Sequence, residues 1–92
     1  MAQRYAVQIV ATARRQLLGL PDAARQRIRI AIRHLGGNPR PAGAKLLAGR
    51  SAERFWRIRV GEYRGLYEIR DTELIVVVIR IGHRRDVYRR GS

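Results

Sequence analysis

The 92-residue chain has no cysteine, a single lysine, a single tryptophan, three prolines and only seven acidic residues. Without cysteine there can be no disulfide, no thiolate metal site and no thiol nucleophile. The longest uncharged apolar run, residues 74–79, is far too short to cross a bilayer, so no membrane partner is expected. The opening Met-Ala-Gln-Arg-Tyr lacks an apolar core region, and no secretory signal is expected. A cytoplasmic location follows as an expectation. The length fits one small domain, residues 1–92, and leaves no room for a second.

What is abundant is arginine. Nineteen Arg and Lys45 stand against seven acids, a formal net charge of +13. A GC-rich genome would favour Arg over Lys, but it does not account for 20 bases against 7 acids. Residues 1–50 hold ten bases and one acid, net +9; residues 51–92 hold ten bases and six acids, net +4. The charge is therefore no detachable tail. Such a surface attracts polyanions: nucleic acid first, an acidic protein second, an anionic membrane third. With 46% hydrophobic residues the chain has an ordinary globular composition, and disorder is not the expected state.

Residues 5–10 are β-branched and aromatic enough for a short strand. Thr12 is positioned to cap a helix that continues to Leu18, and Leu20-Pro21 breaks it. Pro21 suits the first turn of a second helix. In that helix Ala24, Ile28, Ala31 and Leu35 form an apolar stripe widened by Ile32. Arg25, Arg29 and Arg33 lie on another face, as RNA or protein contacts or as a solvated surface. Gly36-Gly37 is expected to end the helix in a left-handed cap. Residues 36–44 read as a loop, and residues 45–47 as a brief extended segment. Three strands follow, at residues 55–60, 63–69 and 73–81. The last is almost continuously apolar and is placed centrally. The predicted fold is α+β: an N-terminal strand and a helical hairpin packed on a mostly antiparallel sheet of about four strands.

Gly61-Glu62 reads as a two-residue type II′ turn. Val60 then faces Tyr63, Arg59 faces Arg64, and Trp56 faces Tyr67. One face collects Trp56, Ile58, Val60, Tyr63, Tyr67 and Ile69. The other collects Arg57, Arg59, Arg64 and Leu66, with Glu68 as its only acid. Like charges opposite each other repel, and a phosphate ligand would relieve that repulsion. After the apolar strand, Gly82-His83-Arg84-Arg85-Asp86-Val87-Tyr88 offers an imidazole, two guanidiniums and a phenol in a short span. His83 can exchange a proton near neutral pH, and Tyr88 can hold a proton or stack on a base. His34, near a helix C-terminus, is given no function. No paired-His metal spacing or Gly-rich phosphate loop exists, and Ser51 and Ser92 have no evident base. An enzyme built from these residues would act on a phosphate centre with Arg, His and Tyr.

The Leu-Pro before the second helix, the stretch Trp-Arg-Ile-Arg-Val-Gly-Glu-Tyr-Arg, the Tyr-Glu-Ile strand and the ending Ile-Gly-His-Arg-Arg-Asp-Val-Tyr together resemble the RelE/ParE superfamily of type II toxin–antitoxin toxins, the RelE branch most closely. The resemblance spans roughly residues 4–90. It implies a toxin that enters the ribosomal A site and cleaves mRNA by attack of a ribose 2′-hydroxyl on its adjacent phosphate, without metal or cofactor. It casts Arg57, Arg59, Arg64 and Arg84 as the residues that hold the RNA and its charged phosphate and Tyr88 as the one that stacks on the base, a catalytic set that His83 completes; Lys45 and Arg50, by proximity to the sheet, and Arg85 are expected as further RNA contacts. Some RelE toxins carry Lys where this chain has Arg57 and Arg59. Because Arg cannot serve as a base, His83 is assigned that role, with Tyr88 as helper. The implied partners are the ribosome, mRNA and a cognate antitoxin with an acidic toxin-binding segment, in a hetero-oligomeric complex. A ParE-like toxin that poisons DNA gyrase would share the scaffold but generally lacks the basic, His and Tyr site. An inactive basic RNA- or ribosome-binding domain is a third reading.

Overall fold

The computed structural model describes residues 4–47 and 55–87. Five strands form one sheet in the order β1-β5-β4-β3-β2. They are β1 (Ala6–Ile9), β2 (Lys45–Leu47), β3 (Phe55–Val60), β4 (Tyr63–Arg70) and β5 (Ile75–His83). Helices α1 (Ala11–Leu18) and α2 (Asp22–His34) cover one face. All pairings are antiparallel except β1 with β5, where Ala6 meets Ile75 and Ile9 meets Val78. The α+β architecture matches the sequence expectation. The extra strand is the segment at residues 45–47, which pairs with residues 55–57 and is a true sheet edge.

The core lies between the helices and the sheet. Ala13 and Leu17 of α1, and Ile28, Ile32 and Leu35 on the predicted stripe of α2, meet Ile58, Tyr67, Val76, Val78 and Ile81. Tyr67 is wholly enclosed. Its hydroxyl donates to the carbonyl of Pro39 at 2.7 Å, so the one polar atom of this core ring has a partner. Burial pushes that phenol up to about 12.

Three local expectations are corrected. Thr12 does not cap α1. The N-cap is Val10, in extended geometry, and no side chain caps the helix. Val10 is still tied to the sheet through its N–H to Val78 O at 3.0 Å, so the helix starts where β1 lets go. Gly36 and Gly37 do not adopt the left-handed conformation; among the described glycines only Gly43 and Gly61 have positive φ. Gly36 is needed for closeness instead. A Cβ there would sit 3.0 Å from the Tyr5 carbonyl, and the Tyr5 N–H donates to Gly36 O at 2.7 Å. The last apolar strand begins at Ile75, because Leu74 turns the chain with φ 56 and its carbonyl accepts the Ala6 N–H at 2.8 Å.

The loop between α2 and β2 is strapped to the sheet. Arg40 grips Asp71 with both terminal nitrogens, at 3.2 and 2.8 Å, and Tyr5 donates to the same carboxylate at 2.6 Å. The Arg40 guanidinium lies 5.3 Å from the centre of the Trp56 ring. These contacts hold the loop beside β2 and β3, where the basic residues lie.

Candidate nucleic-acid interface

The β3–β4 hairpin orders the charges. Gly61 has φ 59 while Glu62 is not among the positive-φ residues, the sign pattern of a type II′ turn. The register follows: Val60 opposite Tyr63, Arg59 opposite Arg64, Arg57 opposite Leu66 and Trp56 opposite Tyr67. On its other edge Arg57 opposes Lys45. Side chains alternate, and Ile58 and Tyr67 belong to the helix-side core. Lys45, Arg57, Arg59 and Arg64 therefore share the face turned away from the helices, with Leu66 among them. Arg80, opposite Leu66 in β5, joins this face.

The four cations are held differently. Arg59 is exposed and Arg57 half-buried. The Arg57 Nε is enclosed with no hydrogen-bond partner. Arg64 folds back onto the turn, donating to the Gly61 and Tyr63 carbonyls at 2.9 and 2.8 Å. Lys45 is exposed at the sheet edge. Among the described residues the one acid on this part of the face, Glu68, is engaged by Arg70 at 2.7 Å.

His83 is not brought onto that face. It is the cross-strand partner of Tyr63, and their rings meet edge-on at 5.8 Å. Tyr63 packs against the helix-side core, so the imidazole lies on the helix side of the sheet, close to its edge. Its Nδ1 accepts the backbone N–H of Arg85 at 3.2 Å. The neutral ring then carries its proton on Nε2. The chain curls tightly after this residue: the N–H groups of Asp86 and Val87 both donate to the His83 carbonyl. Val87 is buried, and Arg80 donates to its carbonyl at 3.1 Å. Arg84 is fixed at two points by Glu62, through its N–H to the Glu62 carbonyl and its Nε to Oε2, both 2.8 Å. The Arg85 side chain is exposed. Tyr88 and Arg50 lie outside the described residues.

Sequence reasoning grouped Arg57, Arg59 and Arg64 on one face, named Lys45 only as a further contact, and gathered His83 and Arg84 with the arginines in one set; the register adds Lys45 to the face and places His83 across the sheet. Sequence reasoning missed Glu62 and Arg80. The signal for Glu62 was available only through the β4–β5 register: once Tyr63 opposes His83, Glu62 must adjoin Arg84. No group of three or more His, Asp or Glu that could hold a metal occurs among the described residues.

Comparison with known proteins gives concordant results. Residues 6–88 match the family model described as ParE toxin of type II toxin-antitoxin system, parDE. The chain is 38% identical over 90 residues to Toxin RelG of Mycobacterium tuberculosis, covering 94% of this chain and 98% of that one. The structure resembles the toxin–antitoxin complex RelBE2 of M. tuberculosis with TM-score 0.66 and 32% identity, covering 94% of this chain and 98% of that chain. It also resembles the archaeal RelE–RelB complex of Pyrococcus horikoshii OT3, with TM-score 0.78 and 23% identity over 92% of this chain and 100% of that chain.

Proposed function

Starting from the fact that the chain belongs to the ParE toxin family of the RelE/ParE superfamily, and is a toxin of a type II toxin–antitoxin system, we propose that it is a ribosome-dependent endoribonuclease that cleaves mRNA in the A site. The observation that carries this reading is the run of cations on one sheet face, with Arg59 directly opposite Arg64 and Lys45 directly opposite Arg57. Such an arrangement is unfavourable in the free protein and becomes favourable when a polyphosphate lies across it.

In the proposed reaction the ribose 2′-hydroxyl attacks the adjacent phosphorus and the bond to the 5′-oxygen breaks, leaving a cyclic phosphate and a free 5′-hydroxyl. Arg59, Arg64 and Arg84 stabilise the charge gathering on the phosphate oxygens; bidentate guanidinium contacts suit that task. Lys45, Arg57, Arg50 and Arg85 hold the flanking backbone. Tyr88 serves proton transfer, and His83, which lies on the helix side of the sheet, shares in it only by reaching the phosphate round the end of β5. For His83 to take the 2′-hydroxyl proton at Nε2, the ring must move its proton to Nδ1, which requires that atom to give up the Arg85 N–H. The RelE neighbours solved with RelB support a cognate antitoxin as partner, and the net charge favours an acidic segment in it.

The description of the matched family model, ParE toxin, favours a second reading, a DNA gyrase inhibitor without nuclease activity. Primer extension on cellular mRNA after induced expression separates the two. Cuts recurring at fixed codon positions support cleavage, whereas DNA damage without such cuts supports gyrase poisoning.

A further inference from the structure

β5 carries one residue more than β4 can pair. Leu66 faces Arg80 and Tyr67 faces Val78, so Ile79 has no partner in β4 and forms a bulge. An extra residue reverses the alternation of a strand beyond it. Val76 and Val78 turn to the helix-side core before the bulge, and Ile81 does so after it. Without Ile79 in that place, Arg80 would point into the core. With it, Arg80 and Gly82 lie on the face of the cations, beside their cross-strand partners Leu66 and Arg64. Bulges next to active sites commonly re-aim a side chain in this way.

The end of the chain folds onto the same face. A Cβ on Gly82 would lie 3.7 Å from both the Cα and the Cβ of Val87, so Val87 packs against the outward side of this glycine. Among the described residues, Leu66 and Val87 are the two buried apolar residues outside the helix-side cluster. The turn over residues 83–87 is closed by the Val87 N–H to the His83 carbonyl at 3.0 Å. Its far end is held by the half-buried Arg80, which donates through a terminal nitrogen to the Val87 carbonyl at 3.1 Å. That carbonyl belongs to the peptide group joining Val87 to Tyr88, and a peptide group is planar. The Arg80 contact therefore orients the plane from which Tyr88 departs. Arg59, by contrast, is an exposed cation of the same face.

We propose that Arg80 is a positioning residue for Tyr88, acting through the Val87 carbonyl rather than through RNA. The proposal rests on the RNA-cleavage reading, in which Tyr88 serves proton transfer, and adds to it the group that aims this side chain.

Two measurements test it. In the isotope-labelled free toxin, Arg80→Met keeps the apolar stem but removes the donor. Amide order parameters at residues 86 and 87 should fall from about 0.85 toward about 0.6. In single-turnover and steady-state cleavage of ribosome-bound mRNA, the same variant should lose roughly 10²-fold in kcat, the cost of a small misplacement, with KM within about two-fold of the parent. Added to Tyr88→Ala it should cost nothing further, because the two residues act as one unit. Arg80→Lys, which keeps a long donor, should restore both the order and most of the rate. Unchanged order at residues 86 and 87 overturns the proposal. So does a raised KM with kcat intact, which marks a phosphate contact, or a double variant whose losses multiply. The order measurement needs no ribosome, so the two readings fail separately. A toxin that cuts no mRNA but loosens its chain end in Arg80→Met refutes cleavage only, and one that cuts mRNA with a chain end indifferent to Arg80 refutes the positioning role only.

Discussion

Arg59 and Arg64 are direct cross-strand partners one residue pair from the Gly61-Glu62 turn, two guanidinium-bearing residues at the closest spacing a sheet allows. A fold selected for stability alone would place an opposite charge there.

Replacing one of them separates stability from function. Arg59 is exposed, so Arg59→Gln should remove repulsion without opening a cavity. The variant is expected to be as stable as the parent or more so, by up to about 1 kcal/mol. Its cleavage of ribosome-bound mRNA should fall roughly 10²–10³-fold. Thermal denaturation and a single-turnover cleavage assay on the same preparation check both halves; a loss of stability would contradict the repulsion argument.

Glu62 fixes Arg84 at its side chain and its backbone. The ion pair is exposed, so Glu62→Gln should change stability by less than about 1 kcal/mol. Removing an acid from a basic patch should tighten RNA binding, while the loosened Arg84 slows turnover. KM and kcat are therefore expected to fall together, and a change in KM alone would deny Glu62 its positioning role.

His83→Gln keeps a polar side chain opposite Tyr63 but cannot move a proton. Cleavage should drop about 10²–10⁴-fold, the usual worth of positioned acid–base catalysis. Wild-type rates would remove His83 from the reaction and leave the Arg85 N–H contact as its whole purpose.

Asp71 supplies a pH test of the strap. Its carboxyl is held down to about 2, against an ordinary 3.8, first by the hydrogen bond from Arg40 and then by that from Tyr5. A carboxyl depressed in this way stabilises the folded state above the unfolded value, and the benefit disappears as pH falls from about 4 through 2. Asp71→Asn should thus melt below the parent at pH 7, with the gap closing toward pH 2. A gap independent of pH, followed by thermal scans, would mean that the strap gains nothing from the charge.

Tyr67→Phe probes the same loop from the core side. It deprives the Pro39 carbonyl of its donor and should cost about 1–3 kcal/mol. For a domain of this size each kcal/mol lowers Tm by roughly 4–8 °C.

The hairpin was legible in the sequence because alternation and a Gly-first turn constrain register together: shifting by one residue would bury Arg57 and Arg59. The apolar stripe of α2 was legible for the same kind of reason. What failed was of two sorts. Gly36 looked like a cap, but its role comes from a strand 31 positions earlier that no local pattern announces. Arg40 and Asp71 also lie 31 positions apart and meet only because the sheet closes. The faces of the C-terminal residues depended on a register shift at Leu66/Tyr67, where one strand gains a residue on its neighbour. Sequence alternation cannot locate such a shift, so His83 was grouped with arginines that lie across the sheet from it.

The parallel pairing of β1 with β5 carries a consequence for how the toxin comes into being. Ala6 waits for Ile75, 69 positions later, before the first strand has a partner. Contacts of such long separation form slowly and late. While its chain is still being made, the first strand and α1 have no sheet to rest on, and Arg59, Arg64 and Arg84 have no common frame. The folded toxin therefore exists only after the fifth strand has been made, an interval in which a cognate antitoxin can meet the chain.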